Sequence, residues 1–131
     1  MIYVNGCKIA WKSKGQKSVT LSSTEAEYVA ISEVSTKILF IAGVMKFLGM
    51  EITYPIEINV DNIGAIYLSK NATMGNCTKH VDTRYHFVRE YIEKDIFKIV
   101  FVRSEDNKAD LMTKNLGKDL YAKHTKGILE I

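Results

Sequence analysis

Three carboxylates in this chain stand where a carboxylate needs a reason: Glu27, Asp61 and Asp110. The stretch "LSSTEAEYVA", residues 21–30, holds two glutamates at the start of an apolar run. Glu25 has a structural reason. With Ser22 it makes the S-x-x-E spacing of a capping box, and Ser23 or Thr24 could serve as the cap instead. It also suits the positive end of a helix dipole. Glu27 heads a series in alternating steps of four and three, Ile31, Val34, Ile38, Ile41, Met45 and Leu48, every member apolar. That series is the expected buried stripe of a helix, so the Glu27 carboxylate is expected to point at the core. A carboxylate there is costly unless it is paired, hydrogen-bonded or bound to metal. The plain alternative is a side chain curled out to solvent or to a lysine such as Lys12.

Asp61 closes "IEINVD", where Ile56, Ile58 and Val60 share one face of a strand. Ligand sites gather at the carboxyl ends of strands in sheets with parallel crossovers. Its structural alternative is the N-cap of the segment that follows. Asp110 lies in "EDNKADLMTK", and by itself would be an exposed residue of a short amphipathic helix. Taken together, three hard oxygen ligands suit Mg²⁺ or Mn²⁺. Two such ions, roughly 4 Å apart, activate a water and stabilise the leaving oxygen in phosphodiester cleavage. A Ser/His/Asp arrangement is weaker, because none of His80, His86 and His124 sits in a nucleophile setting. No phosphate-cradling glycine loop is present, and Cys7 and Cys77 offer no zinc spacing.

These residues need elements to place them. "MIYV-NG-CKIAW" reads as a hairpin around Asn5-Gly6, with Val19–Leu21 finishing or following its second strand. A long helix is expected from about Ser23 to Leu48, stopped by Gly49. Residues 56–60 form a strand, "NIGAIYLS" a short helix and "NATMGNCT" a loop. "KHVDTRYHFVREYIEK" is helical, 96–102 is a strand buried on both faces, and "SEDNKADLMTK" is a short capped helix. The last dozen residues are basic and weakly patterned. The order β-β-α-β-α-α-β-α predicts a mixed α/β layer fold with a hairpin at one edge and parallel crossovers after it.

Length and composition fit one soluble domain with its own core: 131 residues, 47% hydrophobic and 25% charged. The net charge of +3 permits a polyanionic partner without demanding one. Both cysteines read as reduced thiols in an intracellular compartment. The start lacks the pattern of a signal peptide. The apolar run Ile38–Met45, between Lys37 and Lys46, is too short to span a bilayer, so no membrane is expected. Lys8, Lys12, Lys14 and Lys17 could contact phosphates, or could simply be a solvated edge that discourages strand pairing. Asn62, next to Asp61, joins Lys12, Lys14 and Lys17 as a candidate nucleic-acid contact. Lys79, Arg84 and Arg89 read as helix-surface charge.

At these residues the chain resembles the ribonuclease H domain of copia-type (LTR) retrotransposon polyproteins. The stretches "IAWKSKGQKSVTLSSTEAEYVAISE", "PIEINVDNIGAIYLSKN", "TKHVDTRYHFVRE" and "FVRSEDNKADLMTKNL" carry the resemblance, over about residues 8–116 of a single domain, with 117–131 as a basic tail. The resemblance implies a ribonuclease H-like mixed sheet flanked by helices. It implies hydrolysis of the RNA strand of RNA–DNA hybrids by two metal ions, downstream of a reverse transcriptase domain in a parent polyprotein. The implied metal ligands that fall in this sequence are Glu27, Asp61 and Asp110. A first aspartate, on a central first strand, falls ahead of Met1. The expectation is therefore a sheet whose gap is filled by a homodimer or by closer approach of its halves, with feeble cleavage. A non-catalytic module of the same fold that binds nucleic acid or protein is the competing reading. The expected location is intracellular: cytoplasm, virus-like particle or nucleus.

Overall fold

The computed structural model describes residues 1–13, 23–70 and 79–129. The Val19–Leu21 segment, the 71–78 loop, Lys14, Lys17, Ser22 and Cys77 lie outside the described residues. The chain is a mixed α/β protein that divides into two compact units. One is formed by residues 18–101 and the other by residues 1–17 together with 102–131.

The 18–101 unit opens with α1, Ser23–Phe47. The helix ends as Gly49 requires. Gly49 adopts φ 74°, a conformation that costs a residue without Cβ little. Its N–H donates to the Lys46 carbonyl, and the Met50 N–H reaches back to Met45, both at 3.0 Å. This 6→1 and 5→2 pair satisfies carbonyls left open by the last turn. Then come β3, Ile56–Val60, α2, Ile63–Lys70, α3, Lys79–Glu93, and β4, Phe97–Phe101. β3 and β4 pair in parallel, Ile56 opposite Phe97 through Val60 opposite Phe101. Such a pair needs a crossover connection, and α2 and α3 supply it. α3 closes with the same hydrogen-bond pattern as α1, here on Asp95 at φ 54°.

The core of this unit is apolar. Tyr28, Ile31, Ile58, Val60, Ala65, Tyr85, Val88, Phe97 and Ile99 are buried in it. α1 packs against both α2 and α3. Where α1 and α3 meet, the Tyr28 and Tyr85 rings lie 3.9 Å apart, centroid to centroid, and the Tyr28 hydroxyl donates to the Tyr85 carbonyl at 3.4 Å. Burial, then the neighbouring Tyr85, push the Tyr28 phenol up from its ordinary value, against a smaller opposing pull from Arg89. By length and composition α1 could cross a bilayer. Here it is the helix that α2 and α3 cover on one side.

Two expectations change in this unit. The buried side of α1 runs through Tyr28, Ile31, Ser35, Ile38 and Ala42, whereas Val34, Ile41 and Met45 are half-buried and Leu48 is exposed. The stripe is turned by roughly 70° at 100° per residue. Small side chains, Ser32, Ser35 and Ala42, admit close neighbours, and hydrophobicity alone does not show that. β4 is fully buried on one face only: Phe97 and Ile99 are buried, Phe101 in the same phase is exposed at the strand's end, and on the other face Lys98 is exposed and Val100 half-buried. Lys98 instead reaches across the ladder to Glu57 at 3.7 Å.

The other unit holds the hairpin, β1, Ile2–Val4, and β2, Cys7–Ala10, paired antiparallel with an irregularity after Ile2. Asn5 and Gly6 take φ 50° and 79°, the left-handed pair a type I′ turn requires. The predicted helix over "SEDNKADLMTK" is two 3₁₀ turns, Ser104–Asp106 and Lys108–Met112. Asn107 divides them, because its side chain accepts from the Ala109 N–H at 3.1 Å and caps the second turn. The weakly patterned C-terminal stretch, as far as it is described, lies in α4, Lys118–Leu129. Lys123 on α4 bonds Asp106 Oδ1 at 2.7 Å, and that bond holds the Asp106 carboxyl below its ordinary value. Among the described residues the strands form two separate two-stranded ladders.

Candidate functional site

Glu27 is one turn into α1 and half-buried. It lies at the edge of the buried side rather than on its centre line. Thr24, three residues earlier, shares its helix face. Thr24 also marks where α1 meets α2: a Cβ added to Gly64 would lie 2.9 Å from Thr24 Oγ1 and 3.1 Å from Asn62 Oδ1. Glycine at 64 is what lets these two helix starts touch. The contact fixes the first turn of α1 against the first turn of α2, at the carboxyl end of β3 where Asp61 stands.

Asp61 is half-buried. The capping bond of α2 is made by Asn62, whose Oδ1 accepts from the Ala65 N–H at 3.2 Å. The cap alternative for Asp61 thus passes to its neighbour, one residue further on. Asn62 was readable as the better cap, since Asn and Asp rank alike and Asn62 is one residue closer to the helix.

Asp110 is not the exposed helix residue its spacing alone suggested. It is 5% exposed, and Lys114 Nζ donates to its Oδ2 at 2.7 Å. Asn107 Nδ2 approaches the other oxygen at 3.5 Å. Sequence reasoning passed over Lys114. The signal was its i+4 position, although here the chain between the two is a 3₁₀ turn rather than an α-helix. Asp110 belongs to the unit of residues 1–17 and 102–131, and Glu27 and Asp61 to the 18–101 unit. Among the described residues, no group of three or more His, Cys, Asp or Glu side chains could hold a metal ion.

Of the candidate phosphate contacts, Lys12 is exposed after β2. Lys8, on β2, puts its ammonium 5.1 Å from the centre of the Trp11 ring, within cation–π range. Trp11 is itself 61% exposed. An exposed tryptophan between two lysines was the feature missed in the sequence. Arg84 and His86 are exposed on α3, and Arg89 pairs with Glu93 at 3.7 Å, as surface charge does.

Residues of this kind, in this order, recur in known proteins. The chain is 34% identical, over 98% of its length, to the retrovirus-related Pol polyprotein from transposon RE2 of Arabidopsis thaliana. It is similar to one short region of retrotransposon Pol polyproteins. The corresponding polyprotein from transposon RE1 of the same plant is 36% identical over 92% of the chain, and that from transposon TNT 1-94 of Nicotiana tabacum 37% over 84%. The chain spans less than a tenth of these polyproteins, between 8% and 9% of each. The match to the RE2 polyprotein necessarily runs past residue 116 into α4, so the basic tail is part of the shared region. No family profile matches the chain, and no solved structure matches it significantly.

Proposed function

We infer that this chain is a ribonuclease H-like region of a retrotransposon Pol polyprotein, which hydrolyses the RNA strand of RNA–DNA hybrids made by a reverse transcriptase domain upstream. The observation that carries this reading is the Thr24–Gly64 contact. It ties the helix start bearing Glu27 to the strand end bearing Asp61. Two half-buried carboxylates on elements fixed in this way are chemically suited to a hard divalent ion such as Mg²⁺ or Mn²⁺. The resemblance gives Asp110 the third ligand place. Such an ion, when bound, supplies Lewis acidity and an activated water for phosphodiester hydrolysis.

The chain's own residues do the positioning. Asn62 caps α2 and so fixes the backbone immediately after Asp61. Gly64 lets the first turn of α1, which bears Thr24 and Glu27, come close to the start of α2. Lys12, with Lys14 and Lys17 in the same stretch of sequence, offers cations to the hybrid backbone. Trp11 offers a ring on which a base can stack. The site of action for such a protein is inside the cell, where the hybrid is made.

A second reading rests on Asp110. Its carboxylate is already held by Lys114, which leaves it less available to a metal ion and favours a module that binds hybrid or protein without cutting. One assay separates the two: an RNA–DNA hybrid with labelled RNA, in Mg²⁺ or Mn²⁺, with the chain, Asp61→Asn and Asp110→Asn. The nuclease reading expects cleavage that falls by about a hundredfold or more in both variants. Hybrid binding without cleavage, or cleavage that neither substitution changes, supports the second reading.

A further inference from the structure

The hairpin carries rings and cations in alternation. Tyr3 on β1 stands opposite Lys8 on β2. The Lys8 ammonium lies over the Trp11 ring, 5.1 Å from its centre. The ammonium of Lys108, on the second 3₁₀ turn, lies 5.8 Å from the centre of the Tyr3 ring. One run of neighbours thus joins Lys108, Tyr3, Lys8 and Trp11, all in the unit of residues 1–17 and 102–131. Lys12, which is exposed, follows Trp11 directly.

Two features of this run point to a ligand. Trp11 stays 61% exposed even with Lys8 over its ring, and Ile9, in the same strand phase, is 45% exposed. The core therefore does not use this side of the hairpin. The cations, in turn, are not engaged by the unit's own acids. Glu105, Asp106 and Asp110, the carboxylates nearest Lys108 in sequence, are held by Arg103, Lys123 and Lys114, whereas Lys8 and Lys108 face rings. An open indole among lysines selects a ligand that offers a flat π face and negative charge together. A nucleic-acid strand has both, and stacking of bases on aromatic rings, with cations along the backbone, is how sequence-tolerant single-strand binding works. In a duplex each base lies between its stacked neighbours, so neither of its faces is open to Trp11. A base outside a duplex has a free face.

We propose that the hairpin surface around Trp11, with Lys8, Lys12 and Lys108, binds single-stranded nucleic acid. A base stacks on the indole, and the lysines hold the adjoining phosphates. The proposal does not require the chain to cut. Its residues belong to a different unit from Glu27 and Asp61, and a failure of hybrid cleavage leaves it standing.

Trp11 is the chain's single tryptophan, so its emission reports on this surface directly. Titration with a short oligothymidylate or oligouridylate should quench that emission, and a blunt RNA–DNA hybrid should quench it far less. The relative affinity of the two oligonucleotides tells whether the strand is DNA or RNA. With a labelled oligonucleotide and fluorescence anisotropy, Trp11→Ala should weaken binding about tenfold or more, whereas Trp11→Phe should keep most of it. Log affinity should fall with log salt at a slope of about 2 for three phosphate contacts, and Lys108→Gln, at an exposed position, should lower that slope by about 0.7. Circular dichroism of the variants should match that of the unchanged chain. Emission that neither oligonucleotide changes overturns the proposal. So does equal quenching by hybrid and single strand, or an affinity indifferent to Trp11→Ala. Emission that responds only to vesicles of phosphatidylserine and phosphatidylcholine overturns it too, and makes the surface a membrane contact.

Discussion

Single atoms decide whether the two helix starts of the 18–101 unit can meet. A methyl group at Gly64 would lie 2.9 Å from Thr24 Oγ1 and 3.1 Å from Thr24 Cγ2, closer than ordinary packing allows. Gly64→Ala is therefore expected to cost about 1–3 kcal/mol, as overpacking does, offset in part by its helix propensity. Thr24→Ala removes both crowding atoms, so the double variant should recover most of the loss. Thermal melts in a double-mutant cycle measure the coupling, and strictly additive effects would show that the contact is not the cause. Asp110 poses the converse question. Lys114→Met leaves that buried carboxylate without its 2.7 Å ammonium, and if Asp110 is a metal ligand the affinity for Mn²⁺ should rise by about tenfold, or 1.4 kcal/mol. Calorimetric titration that shows no gain would remove Asp110 from the ligand set. The resemblance named Asp110, and the i+4 spacing hinted at Lys114, but the burial of Asp110 was not readable, because it depends on how the two 3₁₀ turns fold around Asn107.

Between elements, the α1–α3 contact turns on the stacked Tyr28 and Tyr85 rings. Tyr28 is 1% exposed, and burial holds its phenol above the ordinary value of 10.0. The neutral form is thus favoured in the folded state. Its contribution to stability is fully present below the unfolded value and is lost as pH rises past it towards the raised folded value. Spectrophotometric titration should show that this phenol ionises only after the exposed tyrosines, in step with the loss of helical signal. In Tyr28→Phe that late transition should vanish. If the late phase persists in the variant, another tyrosine is responsible. Element type and order were largely legible: the hairpin, α1 with its Gly49 stop, β3, α2, α3 and β4 all follow from periodicity and turn chemistry. The sequence misled at α4, which has few apolar residues to set a period, and at residues 104–112, where Asn107 caps locally and breaks the turn.

Across the whole molecule, the apolar core is unevenly shared. The fully buried apolar side chains among the described residues, from Tyr28 to Ile99, all fall within residues 18–101, whereas residues 102–129 bury Asp110 and His124. A contiguous stretch that holds the apolar core has what a small domain needs to fold. Residues 18–101 alone are expected to melt cooperatively and to keep the late tyrosine titration. A non-cooperative melt of that fragment would show that the terminal segments complete its core. One domain was the reading from length and composition, and composition has no means of registering that the core lies in the middle of the chain.

Much was fixed by the sequence itself. Periodicity placed the helices and strands, Asn5-Gly6 and Gly49 placed a turn and a stop, and the ordered stretches around Glu27, Asp61 and Asp110 carried the likeness to Pol polyproteins. Such features are set by backbone stereochemistry and by local alternation, which act over a few residues. Only tertiary structure decided which side of α1 is inside, that Gly64 brings two helix starts together, and that Asp110 is buried against Lys114. These outcomes depend on side-chain volume and on partners brought near by folding, and a hydrophobicity pattern along one element records neither.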